Sequence, residues 1–166
     1  LISQSYINFS SAIDIWGQTW MAENLDYRDS VAKPELEGNR WCYGNEAEQC
    51  DTYGSFYSCE LSSQVCPAGW HLPSISDWFE LYNFIVLMGG DPQNGLRAKD
   101  GWLDYSDNVN NGTDVLGFTA IPGGIMYGEN SYGSATQEAW FWYAQDCSLN
   151  EYEALYLSSE ETNFVS

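Results

Sequence analysis

CPAGWHLPSISDWFEL, residues 66–81, opens on a loop and closes inside a helix. Pro73 breaks the chain, and Ser74 follows as an N-cap with Asp77 at the capping-box position, an acid shorter than the usual Glu. Ile75, Trp78, Phe79, Tyr82, Ile85 and Val86 then recur at three- and four-residue steps. Gly89 and Gly90 end the run, as residues tolerant of left-handed backbone do. This pattern predicts a core-packing helix with no chemistry of its own.

Upstream of it, residues 53–63 are read as a short helix with Phe56 and Leu61 inward. Cys42 and Cys50 flank the polar segment CYGNEAEQC, where a local disulfide closes a small loop worth about 2–3 kcal/mol in the chain-entropy model. Residues 28–40 carry Pro34 and Gly38 and read as a loop. Ile13, Ile15, Trp16, Thr19 and Trp20 surround Gly17, which predicts one or two strands across 13–25. Residues 1–12 have no helical period and read as an extended arm.

Downstream, residues 91–114 are rich in Gly, Asn and Asp and read as long loops. Short strands are expected at 117–122, 125–127, 139–144 and 154–157, with Gly123-Gly124 marking a bulge or a close backbone approach. No internal repeat and no second domain is seen. One prominent helix, short strands and long loops give an α+β domain.

Composition narrows the function. The chain holds 24 acids against 5 Lys+Arg, a formal charge of −19, which excludes nucleic acid as a natural partner. The 8 Trp, 12 Tyr and 7 Phe supply a large core and exclude a disordered chain. No apolar run is long enough to span a bilayer. The sequence starts at Leu1 without a basic export region and is read as a mature chain or a fragment. Cys42, Cys50, Cys59, Cys66 and Cys147 form no CxxC pair, and His71 is the only histidine, so disulfides in an oxidising compartment are expected rather than zinc. The number of cysteines is odd; the pairing of Cys59, Cys66 and Cys147 stays open.

Five stretches carry a family likeness: GQTWMAENLDY (17–27), CYGNEAEQCDTYGSFYS (42–58), CPAGWHLPSISDWFEL (66–81), NGTDVLGFTAIPGG (111–124) and the aromatic strand near Trp140. In them the chain resembles the Fibrobacter succinogenes major paralogous domain family. HLPSISDWFEL is also similar to part of the formylglycine-generating enzymes. The resemblance implies a C-type-lectin-like fold, two helices beside small twisted antiparallel sheets with long loops, over residues 13–166. It further implies a closing strand with a cysteine as partner of Cys66. The sequence stops at Ser166 without one, so the usual final strand is expected to be lacking.

No enzyme is expected. The formylglycine-generating enzymes hold copper through paired late cysteines, and this chain has only Cys147 in that region. That oxidase chemistry is the last of three readings. His71 sits inside a loop-to-helix motif and is read as structural. Asp107, Asn110, Asn111 and Asp114 offer hard oxygen ligands for calcium, against the simpler reading that they make turns. No other cofactor is expected.

Trp140, Phe141, Trp142 and Tyr143 alternate along a strand, so one pair can be core while the other meets a partner. Trp140, Trp142, Tyr143, Asp146, Asn150, Tyr152 and Tyr156 are the candidate ligand-binding residues, mixing rings with hydrogen-bonding groups. The first reading is therefore a non-catalytic, extracellular or cell-surface adhesion module for a glycan or protein. The alternative is a structural subunit of an extracellular filament or surface layer, with the arm added as a strand to a neighbour.

Overall fold

The computed structural model describes residues 7–8, 11–145, 147 and 154–160. Strand β1 (Ile7–Asn8) pairs antiparallel with β4 (Asp26–Tyr27) of the same chain, so the arm is intramolecular at that point. Between them β2 (Ala12–Ile15) and β3 (Gln18–Met21) form a hairpin. Its turn is two residues long, Trp16 and Gly17, both at positive φ (51° and 84°), which matches the right-handed twist of the flanking strands.

Next come β5 (Arg40–Trp41), α1 (Ala47–Tyr53), β6 (Phe56–Tyr57) and α2 (Cys59–Ser62). The helix expected over 53–63 is thus split: Phe56 and Tyr57 pair with Trp41 and Arg40, and only 59–62 coil. Gly54 separates α1 from β6. Its φ is +76°, and an added Cβ would lie 2.6 Å from that of Asn24, so the chain needs glycine to reverse there.

Helix α3 (Ile75–Leu87) carries the full capping box: Asp77 N–H donates to Ser74 Oγ at 3.2 Å, and Ser74 N–H donates to the Asp77 carboxylate at 2.7 Å. Its inward residues are Trp78, Leu81 and Ile85. The region read as loops from 91 to 114 contains a further short helix, α4 (Pro92–Leu96), capped by Asp91 with Pro92 in the first turn. Five residues containing Asn and Gly have little intrinsic helicity, and packing against α3 holds them. The described residues hold four α-helices, not two. The strand expected at 117–122 is a single parallel bridge, Arg97 to Ala120, because positive φ at Gly117 and Thr119 interrupts it.

The chain ends in two antiparallel ribbons. One pairs β7 (Ile125–Gly128) with β8 (Ser131–Gly133), a strand that lies between those expected at 125–127 and 139–144. The other pairs β9 (Glu138–Trp142) with β10 (Ala154–Ser158). The architecture is mixed α and β, with four α-helices and small antiparallel sheets among the described residues. No helix among the described residues is long and apolar enough to cross a membrane.

Apolar side chains gather in two clusters. The larger joins Ile15 and Trp20 to the inner face of α3, to Leu96, Trp102 and Phe118, and to Ala139, Tyr143, Leu155 and Leu157. The smaller contains Tyr27, Leu36, Leu61 and Val65. Cys42 is bonded to Cys50, and Cys59 to Cys147; Cys66 is a half-buried free thiol whose burial pushes its pKa up. The second bridge ties α2, in the smaller cluster, to the segment after β9, in the larger.

The smaller cluster borders a buried charge. Asp26 is 4% exposed and accepts from Arg28, from Ser55 Oγ at 2.6 Å and from Arg40 at 2.6 Å. Burial alone would raise its pKa; these bonds outweigh burial and hold it below the ordinary value. Asp77 is held low too, by its bonds to Ser74. A depressed carboxylate stabilises the fold above its unfolded pKa, near 3.9 for Asp, and loses that contribution as the pH falls through the native value. Chemical-denaturation midpoints are therefore expected to be flat from pH 7 to about 5 and to fall steeply below about 4. A midpoint that rises on acidification would contradict this account.

Candidate functional site

The β9–β10 ribbon has two unlike faces. Cross-strand pairs Ala139–Leu157 and Phe141–Leu155 turn inward, with Leu155 and Leu157 buried and Phe141 against the core. Pairs Glu138–Ser158, Trp140–Tyr156 and Trp142–Ala154 share the other face. The alternation left open which aromatic pair faces in. Phe141 and Tyr143 do, because Leu155, Leu157 and the inner face of α3 already form an apolar bed on that side.

On the outer face Trp140 is 39% exposed and its ring lies 4.6 Å from that of Tyr156 at an angle of 42°. The Trp140 indole N–H donates to Glu138 Oε2 at 2.8 Å. The Tyr105 hydroxyl donates to Glu138 Oε1, and the Tyr105 backbone N–H donates to Glu160 Oε1 at 3.0 Å. Partial burial, then its hydrogen-bonded neighbours Glu138 and Tyr156, push the Tyr105 phenol far above its ordinary pKa, so it remains a donor at any physiological pH. The result is a platform of three rings edged by two carboxylates. Its polar groups are tied to one another and to the rings by these hydrogen bonds.

The other candidates are distributed as follows. Trp142 shares the outer face but is half-buried, its indole N–H donating 2.9 Å to the Tyr57 carbonyl, so it joins the ribbon to β6. Tyr143 is 6% exposed and belongs to the core, which removes it from the ligand-binding set. Asp146, Asn150 and Tyr152 lie outside the described residues. Tyr105, Glu138 and Glu160 were not singled out in the sequence. Tyr105 lies 33 positions from Glu138 and 55 from Glu160, and no local pattern announces such a contact.

Three of the four calcium candidates carry loop bonds. Asn110 donates to the Ser159 carbonyl at 2.6 Å, Asn111 Oδ1 accepts from the Trp102 backbone at 3.0 Å, and Asp114 accepts from Thr119 N–H at 2.8 Å and from its hydroxyl at 3.0 Å. Asp107 occupies a turn at φ 61°. Among the described residues no group of three or more His, Cys, Asp or Glu is placed to hold a metal ion. His71 is exposed, 3.8 Å from an Asp77 carboxylate that already caps α3.

Compared with known families, residues 13–164 match the family model described as the Fibrobacter succinogenes major domain. No curated protein and no solved structure matches the chain.

Proposed function

The chain belongs to the Fibrobacter succinogenes major domain family, and on that premise we propose that it is a non-catalytic extracellular recognition module with a C-type-lectin-like scaffold. Supporting the scaffold are one long helix packed beside small antiparallel ribbons and the long connections from residue 97 to 124. Two disulfides fit an oxidising compartment outside the cytosol.

The observation that carries the reading is the Trp140–Tyr156 platform with Tyr105 and Glu138 at its edge. A flat ring packs against the C–H face of a pyranose, and phenol and carboxylate groups at its rim match sugar hydroxyls. A glycan is the ligand that suits this chemistry best. The net charge of −19 favours a neutral sugar over an acidic one, since like charges repel on approach. The carboxylates Glu138 and Glu160 serve as hydrogen-bond acceptors, a role that suits contact with a ligand.

A screen of neutral glycans, with and without calcium, tests this directly. Trp140→Ala is expected to weaken the bound glycan at least tenfold, the loss typical of a central aromatic anchor. Its thermal midpoint should stay within a few degrees of the parent, because Trp140 lies outside both apolar clusters. No glycan binding at any concentration tried, or unchanged affinity in the variant, would remove the platform as the site.

A further inference from the structure

The chain holds 8 Trp, and six of them, Trp20, Trp41, Trp70, Trp78, Trp140 and Trp142, line one cleft of about 1880 Å³. The aromatic platform is part of its wall, since Trp140 is among the six. The outer face of β9 leads onward from there. Beyond Trp140 the same face carries Trp142, whose indole N–H donates to the Tyr57 carbonyl of β6 at 2.9 Å. At that bond the β9–β10 ribbon meets the β5–β6 ribbon, which adds Trp41 and Phe56 to the lining.

The volume exceeds the roughly 300–1,000 Å³ of sites for a single small molecule, so the cleft has room for a chain of linked units. Its charge is one-sided. None of the 5 Lys and Arg residues lines it, whereas the exposed carboxylates of Asp51 and Glu60 do. An acidic ligand is repelled here. Trp78 is 2% exposed, and its indole N–H has no hydrogen-bond partner. A buried donor without an acceptor costs free energy, so a ligand that carries oxygen gains more at this wall than a purely apolar one. Rings for stacking, carboxylates that accept from hydroxyls and a lining without cations match an uncharged carbohydrate.

We propose that the ligand is an oligosaccharide of several neutral sugar rings, which begins on the Trp140–Tyr156 platform and continues into this cleft. The inference rests on the platform as a glycan site and extends it from one ring to a chain. A single sugar on Trp140 uses only one part of the lining. Further rings reach Tyr127, which lines the same cleft from β7 and is 67% exposed. Affinity therefore rises with the length of the sugar chain.

The disaccharides and hexasaccharides of dextran, laminarin and mannan serve as probes, titrated into the full 166-residue chain by calorimetry. At least one hexasaccharide is expected to bind about tenfold more tightly than its own disaccharide, the gain of one further aromatic contact. Acrylamide quenching of tryptophan emission gives a second readout. At saturation the hexasaccharide should shield more emission than the disaccharide, above a constant background from Trp16, which is 70% exposed and does not line the cleft. Tyr127→Ala should abolish most of the hexasaccharide's advantage and leave disaccharide affinity unchanged. Tyr127 lies outside both apolar clusters, so the variant keeps its fold. Trp140→Ala should weaken both lengths. Hexasaccharides no tighter than their disaccharides, or a Tyr127→Ala variant that keeps the full length dependence, would overturn the cleft as the site of the chain and leave the platform standing. Binding of hexagalacturonate as tight as that of the neutral sugars would overturn the charge argument. No binding at any length would remove the platform and the cleft together.

Discussion

Replacing Cys59 and Cys147 together by Ala lowers the thermal midpoint by roughly 10–15 °C, about twice the effect of replacing Cys42 and Cys50 together. The two bridges differ chiefly in the loop they close, 88 positions against 8. In the chain-entropy model the longer loop is worth about 4–5 kcal/mol and the shorter about 2–3. Position adds to the difference. Cys42–Cys50 fastens α1 to the segment just before it, whereas Cys59–Cys147 joins the two apolar clusters across the molecule. The bond from Trp142 to the Tyr57 carbonyl is a second tie in the same direction, and a single hydrogen bond contributes only about 1 kcal/mol. Loss of the long bridge should therefore loosen the two clusters from each other as well as lower the midpoint. Differential scanning calorimetry of both double variants without reductant provides the comparison. Equal midpoints for the two would show that loop length and cluster tethering have been overvalued here.

How much of this was legible in the sequence depends on whether a feature is local. Helix α3 was legible to its cap, because Ser74 and Asp77 lie within one short window, but its inward face was only partly legible: of the apolar residues singled out, Trp78 and Ile85 are buried, Ile75, Phe79 and Val86 are exposed, and the buried Leu81 was not among them. The β2–β3 hairpin was legible for the same reason, with Gly17 at its turn. Strand β6 was not. Two residues are too few to show a period, and only the partner strand β5, fifteen residues upstream of Phe56 at Trp41, makes them extended. Helix α4 was announced by Asp91-Pro92, yet Asn94 and Gly95 spoke against it, and tertiary contact decided the matter. The outward aromatic face of the β9–β10 ribbon was half legible. Alternation at 140–143 separates two faces, but choosing the outward one needs Leu155 and Leu157, which arrive from β10. Tyr105 and the pairing of Cys59 with Cys147 were beyond reach, since nothing near either residue encodes so distant a neighbour.

Asp26→Asn is expected to cost about 3 kcal/mol, more than any other single polar substitution beside the smaller cluster. The change preserves shape and removes only the charge. Asp26 is 4% exposed, and two guanidinium groups converge on it, Arg40 at 2.6 Å and Arg28 beside it. Arg40 also lies 3.2 Å from Cys50 Sγ, so it cannot swing to solvent without leaving its place against the disulfide. An amide in place of the carboxylate faces those cations with a neutral oxygen and turns an N–H₂ toward a donor. The penalty sits at the lower end for a broken buried pair, because Arg28 is 34% exposed and water takes up part of its charge. Ser55→Ala, which removes one neutral donor from the same carboxylate, should cost only about 1 kcal/mol. The pH dependence separates a charge effect from a packing effect. The parent loses stability as Asp26 protonates below about pH 4; the Asn variant begins lower and has less to lose, so the two denaturation curves should converge in acid. A constant gap between them from pH 7 to pH 3 would assign the loss to packing and deny Asp26 its electrostatic role.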